Sequence, residues 1–249
     1  MCNLNRMNQS SHHHGHEGDI DRLTNPNVNE LGLKILEENN RIAERIRKRM
    51  REENILLINI ISSAGSGKTS FLEKTADAFK DDLKMAVIVG DLETERDAER
   101  IRKHGIQSKQ IITGEVCHLE ANVVEEAFDK IDIKGLDVIF IENVGNPVCP
   151  ATYDLGEDFR ICLLATTEGD DKPKKYPQLF LHSDLLLISK TDLVPNVPFS
   201  CDKAKNEALE INHHLDVIEF SSLNGSGMDE WKDYLYSQIK KKQAKSIAV

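Results

Sequence analysis

Residues 62–70 read Ser-Ser-Ala-Gly-Ser-Gly-Lys-Thr-Ser and follow the apolar run Ile55 to Ile61. A strand that opens into closely spaced glycines and then Lys-Thr is the pattern of a phosphate-binding loop. Glycines let backbone N–H groups converge on phosphate oxygens. Lys68 then reaches the β- and γ-phosphates, and the Thr69 hydroxyl holds Mg²⁺. The stretch from Phe71 onward has helical character, which aims a helix N-terminus at the same anion. The expected phosphate-binding set is therefore Ala64, Gly65, Ser66, Gly67, Lys68, Thr69 and Ser70, and the expected ligand class is a nucleoside triphosphate. One position departs from the full pattern, because Ser62 stands where the first glycine belongs.

Two acids follow at the ends of later apolar runs. Asp91, after Gly90, is placed to hold Mg²⁺ or its water, with capping of the next helix as the plain alternative. The run from Asp137 to Ile141 ends in Glu142-Asn143-Val144-Gly145-Asn146. Glu142 is read as the second acid near Mg²⁺, and Gly145 as the source of a backbone N–H close to the γ-phosphate. Lys68, Thr69, Asp91, Glu142 and Gly145 make up the expected catalytic set. Arg96 and Asp97 read more simply as first-turn helix charges.

A third strand-end segment is Ser189-Lys190-Thr191-Asp192. It is similar to the Asn-Lys-x-Asp pattern of GTP-binding proteins, with Ser189 in place of Asn. Asp192 would accept from guanine N1–H and the exocyclic amine, and the Lys190 stem would lie on the base. Adenine offers no such donors, so a carboxylate there rejects ATP. Ser221, Ser222 and Leu223 resemble the loop whose backbone holds the guanine carbonyl oxygen. An ATP-using kinase is the reading to be tested against this one.

Cys117 and His118 are adjacent and are expected to open a helix after the third strand; Cys149 follows the Glu142–Asn146 segment. Thiolate and imidazole suit Zn²⁺ and Ni²⁺, and three donors leave a four-coordinate ion incomplete. A second copy of the chain could complete or share the set across a dimer axis. Cys162, inside an apolar run, and Cys201 read as small buried apolar residues instead.

The elements that must position these residues alternate. Strand-length apolar runs fall at 55–61, 85–90, 110–113, 137–142, 161–166, 185–189 and 217–220. Helical patterns fall at 30–53, 68–80, 94–104, 119–130, 176–182, 202–214 and 228–242. This predicts an α/β fold: a P-loop NTPase whose mostly parallel sheet is flanked by helices on both faces, with ligands at the carboxyl ends of the strands. Residues 1–28, with His12-His13-His14-Gly15-His16, are expected to be a disordered polar tail, 29–54 an N-terminal helix, and 55–249 the P-loop domain. The chain has 249 residues, a net charge of −10 and a pI near 5.4, a poor balance for non-specific nucleic-acid binding. No segment has the length of an apolar membrane span, and the N-terminus lacks the apolar core of a signal peptide, so a cytoplasmic location is expected. Five scattered cysteines argue for thiols or metal ligands over a disulfide framework.

Together these segments resemble the HypB family, the nickel-incorporation GTPases of [NiFe]-hydrogenase maturation, over about residues 30–242. The resemblance rests on Ser62 to Thr69, Gly90-Asp91, Thr113-Gly114-Glu115-Val116-Cys117-His118-Leu119, Glu142 to Pro150, Ser189 to Leu193 and Ser221 to Gly227. It implies a dimer-activated GTPase with slow intrinsic hydrolysis. GTP, Mg²⁺ and Ni²⁺ or Zn²⁺ would be its cofactors, with the transition metal on Cys117, His118 and Cys149. It further implies a homodimer, a small zinc-containing maturation partner and the hydrogenase large-subunit precursor as partners. Family members often carry Pro where Ala64 stands and Asn where Ser189 stands; the second change is expected to temper nucleotide affinity. Two other readings remain at this stage: a urease-accessory-type nickel GTPase, and a metal-storage protein with a vestigial nucleotide site.

Overall fold

The computed structural model describes residues 26–247. Its centre is a sheet of seven strands: β1 (Leu56–Ser62), β2 (Met85–Asp91), β3 (Gln107–Ile112), β4 (Val138–Gly145), β5 (Phe159–Ala165), β6 (Leu185–Ser189) and β7 (Asp216–Phe220). The strand order is β3-β2-β4-β1-β5-β6-β7 and every pairing is parallel. A parallel sheet is covered on both faces, which is why β1 and β6 are apolar runs with every residue buried.

One face packs on α2 (Lys68–Phe79), α3 (Arg96–Arg102) and α8 (Met228–Ile247), through Phe71, Phe79, Ile101 and Trp231. The Trp231 indole is fully buried, donates to Thr75 Oγ1 at 3.0 Å, and lies 5.0 Å from the Phe71 ring centroid. The opposite face packs on α1 (Pro26–Glu52) and α4 (Ala121–Phe128), through Ile42, Ile46, Met50 and Val124. Around β5 and β6 that face is closed by α6 (Pro177–Leu181), preceded by the single-turn α5 (Lys172–Lys175), and by α7 (Cys201–Ile211). The compact unit begins at Asn39; the residues before it form a unit of their own, in which an exposed Lys34–Glu30 ion pair of 2.7 Å staples one helical turn.

Several expectations shift. Helix α1 begins at Pro26, inside the stretch expected to be a tail; proline is favoured in the first turn of a helix, where its missing N–H is no loss. The rest of that stretch, with Cys2 and the His12–His16 cluster, lies outside the described residues. The helix expected over 176–182 is α6, Pro177–Leu181, and the unexpected single turn α5 before it ends at Lys175, because Pro177 drives Tyr176 out of the helical region. Strand β3 starts three residues before the expected 110. It is an edge strand, so its polar half is solvated and leaves no apolar run to read. Strand β4 does not stop at the expected Glu142 but runs on to Gly145, following a register shift against β1 between Ile60 and Ser62. Among the described residues, no helix is long and apolar enough to cross a membrane.

Candidate nucleotide site and metal centre

The loop between β1 and α2 turns through Gly65 and Gly67, whose φ angles of +74° and +97° exclude ordinary side chains. That geometry leaves Ala64, Gly65, Gly67, Lys68, Thr69 and Ser70 around a cavity of about 420 Å³, completed by Gly90, Asp91, Asp97, Arg100, Glu142, Asn143, Gly145 and Lys190. Ser66 is fully buried beneath it. Gly145 is needed for close approach: a Cβ there would lie 2.8 Å from Ala64 Cα. The phosphate loop and the end of β4 therefore lie in direct backbone contact.

The buried Lys68 ammonium donates to Ser62 Oγ at 3.0 Å, and burial lowers its pKa. This gives the departure at Ser62 a purpose, since glycine offers no such acceptor. Thr69 Oγ1 donates to Glu142 Oε1 at 2.7 Å, while Glu142 Oε2 is buried with no hydrogen-bond partner. A partnerless buried carboxylate oxygen beside a hydroxyl fits a divalent cation or its water. Burial pushes the Glu142 carboxyl up to about 7, against the pull of Lys68. In the free protein this carboxyl is thus protonated below about pH 7 and ionised above. Mg²⁺-dependent nucleotide affinity should climb as pH rises through that value, approaching about tenfold per unit on its acid side. Titration calorimetry against pH checks this, and Glu142→Gln should flatten the profile.

Asp91 lines the same cavity, but its Oδ1 accepts from the N–H groups of Glu93 and Thr94, both at 2.9 Å. It shapes a turn and does not cap α3, which begins five residues later. Asp97 meets Arg100 at 3.3 Å, and Arg100 also reaches Ser70 Oγ at 3.2 Å and Glu73 at 2.6 Å.

Just beyond β6, Lys190 adopts a left-handed φ of 59°, and its Nζ donates to Gly65 O at 2.7 Å. Asp192 accepts from Ser221 Oγ, which in turn accepts from Leu223 N at 3.2 Å. Ser222 is half-buried and the Leu223 side chain is exposed. Ser189 stands where family members often carry Asn, a change expected to temper nucleotide affinity. Its hydroxyl donates to Ser66 O at 2.7 Å, so the shorter side chain still ties this strand to the phosphate loop.

Cys117 and His118 do not open α4. They lie in the loop between β3 and α4, whose first residue is Ala121. Cys149 starts the 3₁₀ turn Cys149–Ala151 just beyond β4. The loop geometry brings one donor atom from each within 4.8 Å of the other two, and the sulfurs stand 3.2 Å apart. Tyr153 stacks on the His118 ring with centroids 4.0 Å apart, and Glu120 Oε1 lies 3.6 Å from His118 Nε2, which is buried without a hydrogen-bond partner. Burial lowers the His118 pKa, which favours the neutral imidazole a metal needs. The Cys149 thiol is pushed up, first by its contact with Cys117, so ion uptake must expel a proton there. Cys162 is buried in β5 with its thiol pushed up to about 12, an inert packing residue.

The sequence model of the CobW/HypB/UreG nucleotide-binding domain matches residues 56–219. The hydrogenase maturation factor HypB of Escherichia coli K12 is 43% identical over 209 residues, which span 84% of this chain and 72% of that protein. This chain belongs to the HypB family. The hydrogenase/urease maturation factor HypB of Helicobacter pylori is 41% identical over 219 residues, 85% of this chain and 90% of that protein. Two solved HypB structures agree with the fold. The H. pylori protein in complex with nickel superposes with a TM-score of 0.79 at 40% identity, over 82% of this chain and 96% of that one. The Archaeoglobus fulgidus protein gives a TM-score of 0.77 at 37% identity, over 82% and 100%.

Within this HypB-family fold two side chains matter that sequence reasoning passed over. Glu168 accepts from Ser66 Oγ at 2.6 Å and from Ala165 N at 3.1 Å, pinning the phosphate loop to the end of β5. Its place just beyond a strand's carboxyl end was the available signal. Asn143 was quoted only as part of a motif, yet it is buried and hydrogen-bonded on three sides.

Proposed function

We propose that this chain is a GTPase of [NiFe]-hydrogenase maturation whose nucleotide state sets its hold on Ni²⁺. The observation that carries the reading is the trio Cys117, His118 and Cys149, with donor atoms within 4.8 Å of one another on two loops. One of those loops leaves β4, the strand that brings Glu142 and Gly145 to the nucleotide cavity. Two sulfurs and one nitrogen suit Ni²⁺ or Zn²⁺ and leave a position for a further donor, from water or from a second copy of the chain.

In this reading the backbone of Ala64 to Ser70 cradles the phosphates, and Lys68 neutralises charge that develops as the γ-phosphate departs. Mg²⁺, held by Thr69 and Glu142 with Asp91 in the same cavity, would add its charge to that of Lys68. Gly145 presents its N–H on the γ-phosphate side, and hydrolysis lets the end of β4 relax. Cys149, four positions on, then moves relative to Cys117 and His118, and the cargo ion is loosened. The cargo passes to the hydrogenase large-subunit precursor in the cytoplasm, with a second copy of this chain and a small zinc-containing maturation protein as partners. Urease maturation is the second reading, favoured by the double name of the H. pylori relative.

Phosphate release from GTP by the purified chain, with and without Ni²⁺, tests the reading. GTP turnover that is absent in the presence of Mg²⁺ would favour metal storage instead. The base is tested separately. Asp192→Asn leaves one acceptor oxygen for two guanine donors and sets an amide N–H₂ against the other, which should weaken GTP binding by about 100-fold. ATP binding should be weak in both proteins; tight ATP binding to either would point to a kinase.

A further inference from the structure

Successive side chains of a strand point to opposite faces of the sheet. In β4, Phe140 packs on the α2 face and Ile141 on the α4 face. Glu142 follows the first and meets Thr69 at the start of α2. Asn143 follows the second and is 1% exposed. Its Oδ1 accepts from Leu119 N at 3.3 Å and from Val144 N at 2.9 Å, and its Nδ2 donates to Asn59 Oδ1 at 3.3 Å. Leu119 is the residue after His118.

The polar run continues. Asn59 Nδ2 donates to Glu157 Oε1 at 3.1 Å, and Arg160 Nη2 donates to the same oxygen at 2.6 Å. Arg160 then donates to Ala151 O at 2.9 Å and Tyr153 O at 3.1 Å. These carbonyls belong to the segment that starts at Cys149, and Tyr153 is the ring stacked on His118. Buried polar side chains are costly unless paired. All four here are paired, and the run ends on the two segments that carry the metal donors.

We propose that Asn143 is a positioning residue that ties His118 to strand β4, so that the nucleotide's effect on Glu142 is felt at the metal. The proposal deepens the nickel-GTPase reading and rests on it. Glu142 and Asn143 share one peptide link. A shift of that link when phosphate and cation arrive at Glu142 moves Asn143 with it, and the hydrogen bond to Leu119 N carries the shift to His118. Metal–donor distances tolerate only about 0.2 Å, so a small displacement changes affinity. Cys149 follows the same strand through the intervening chain, while Arg160 holds the segment behind it. Both halves of the donor set thus hang on the last turn of one strand.

The test measures Ni²⁺ affinity of the full chain at saturating GDP·Mg²⁺ and at saturating non-hydrolysable GTP analogue with Mg²⁺. Wild-type protein should differ between the two states by about fivefold or more. Asn143→Ala should bring that ratio close to one. Asn143→Asp keeps the oxygen that accepts from Leu119 and Val144 and should keep most of the ratio. A merely structural role would weaken Ni²⁺ binding equally in both states and leave the ratio alone, which would overturn the proposal. Should Asn143→Ala fail to fold, a ratio lost in a folded Asn143→Asp would overturn it as well. A wild-type protein with equal affinity in both states would sink the nucleotide coupling itself, a failure distinct from a wild-type ratio that survives Asn143→Ala.

Discussion

Lys68→Ala should lower GTP turnover by about 10²–10³-fold, the loss expected when one preorganised charge is taken from a developing phosphate anion. The native ammonium is buried, held by Ser62 Oγ, and faces Glu142 and Glu168. Its removal takes a cation away from Glu142 in a cavity that must accept further negative charge, while Glu168 keeps Lys172 at 3.7 Å. Binding should weaken along with turnover, because the same group contacts the nucleotide before and during reaction. Lys68→Arg should not rescue, since a planar fork does not replace a point charge in a loop this tight. Single-turnover phosphate release measures the effect, and a thermal melt separates it from unfolding. Turnover within a few-fold of wild type would sink the assignment.

The second large effect is on the metal. Cys149→Ala removes one of three donors and should weaken Ni²⁺ binding by at least about 100-fold, beyond the range that outer-sphere partners command. GTP affinity measured without metal should stay within about twofold, because the Cys149 sulfur touches none of the nucleotide-binding side chains. Cys162→Ala is the matched control: it too removes a sulfur, but from the packed interior of β5, and should leave Ni²⁺ binding as it was. Competition against a metal-binding dye reads both variants. Unchanged affinity in Cys149→Ala would remove the trio from the function.

What could be read in the chain beforehand follows from how local each signal is. The phosphate loop was legible because an apolar strand, two glycines and Lys-Thr are contiguous. The alternation of runs and helical patterns sufficed for a parallel sheet, since strands buried on both faces advertise themselves by composition. Edge strand β3 did not, and its first half was lost among polar residues. The placement of Cys117 and His118 failed for another reason: nothing nearby in sequence marks Ala121 as the true start of α4, and the cap comes from Asn39, whose Oδ1 accepts from Ala121 N across 82 positions. Glu168 and Asn143 escaped for the same cause, since their partners Ser66 and Leu119 are remote in sequence. Ser189 was read from side-chain length alone, and only the backbone's approach revealed that a hydroxyl reaches Ser66.

The sequence holds one tryptophan, and it is the indole bonded to Thr75 and packed on Phe71. Both of those residues belong to α2, whose first turn, with Lys68 and Thr69, is the proposed phosphate cradle. The molecule therefore carries its own optical gauge: ultraviolet emission excited at the indole comes from a single buried spot fastened to the element proposed to meet the nucleotide. Occupancy of the cradle can be followed in solution with no dye attached.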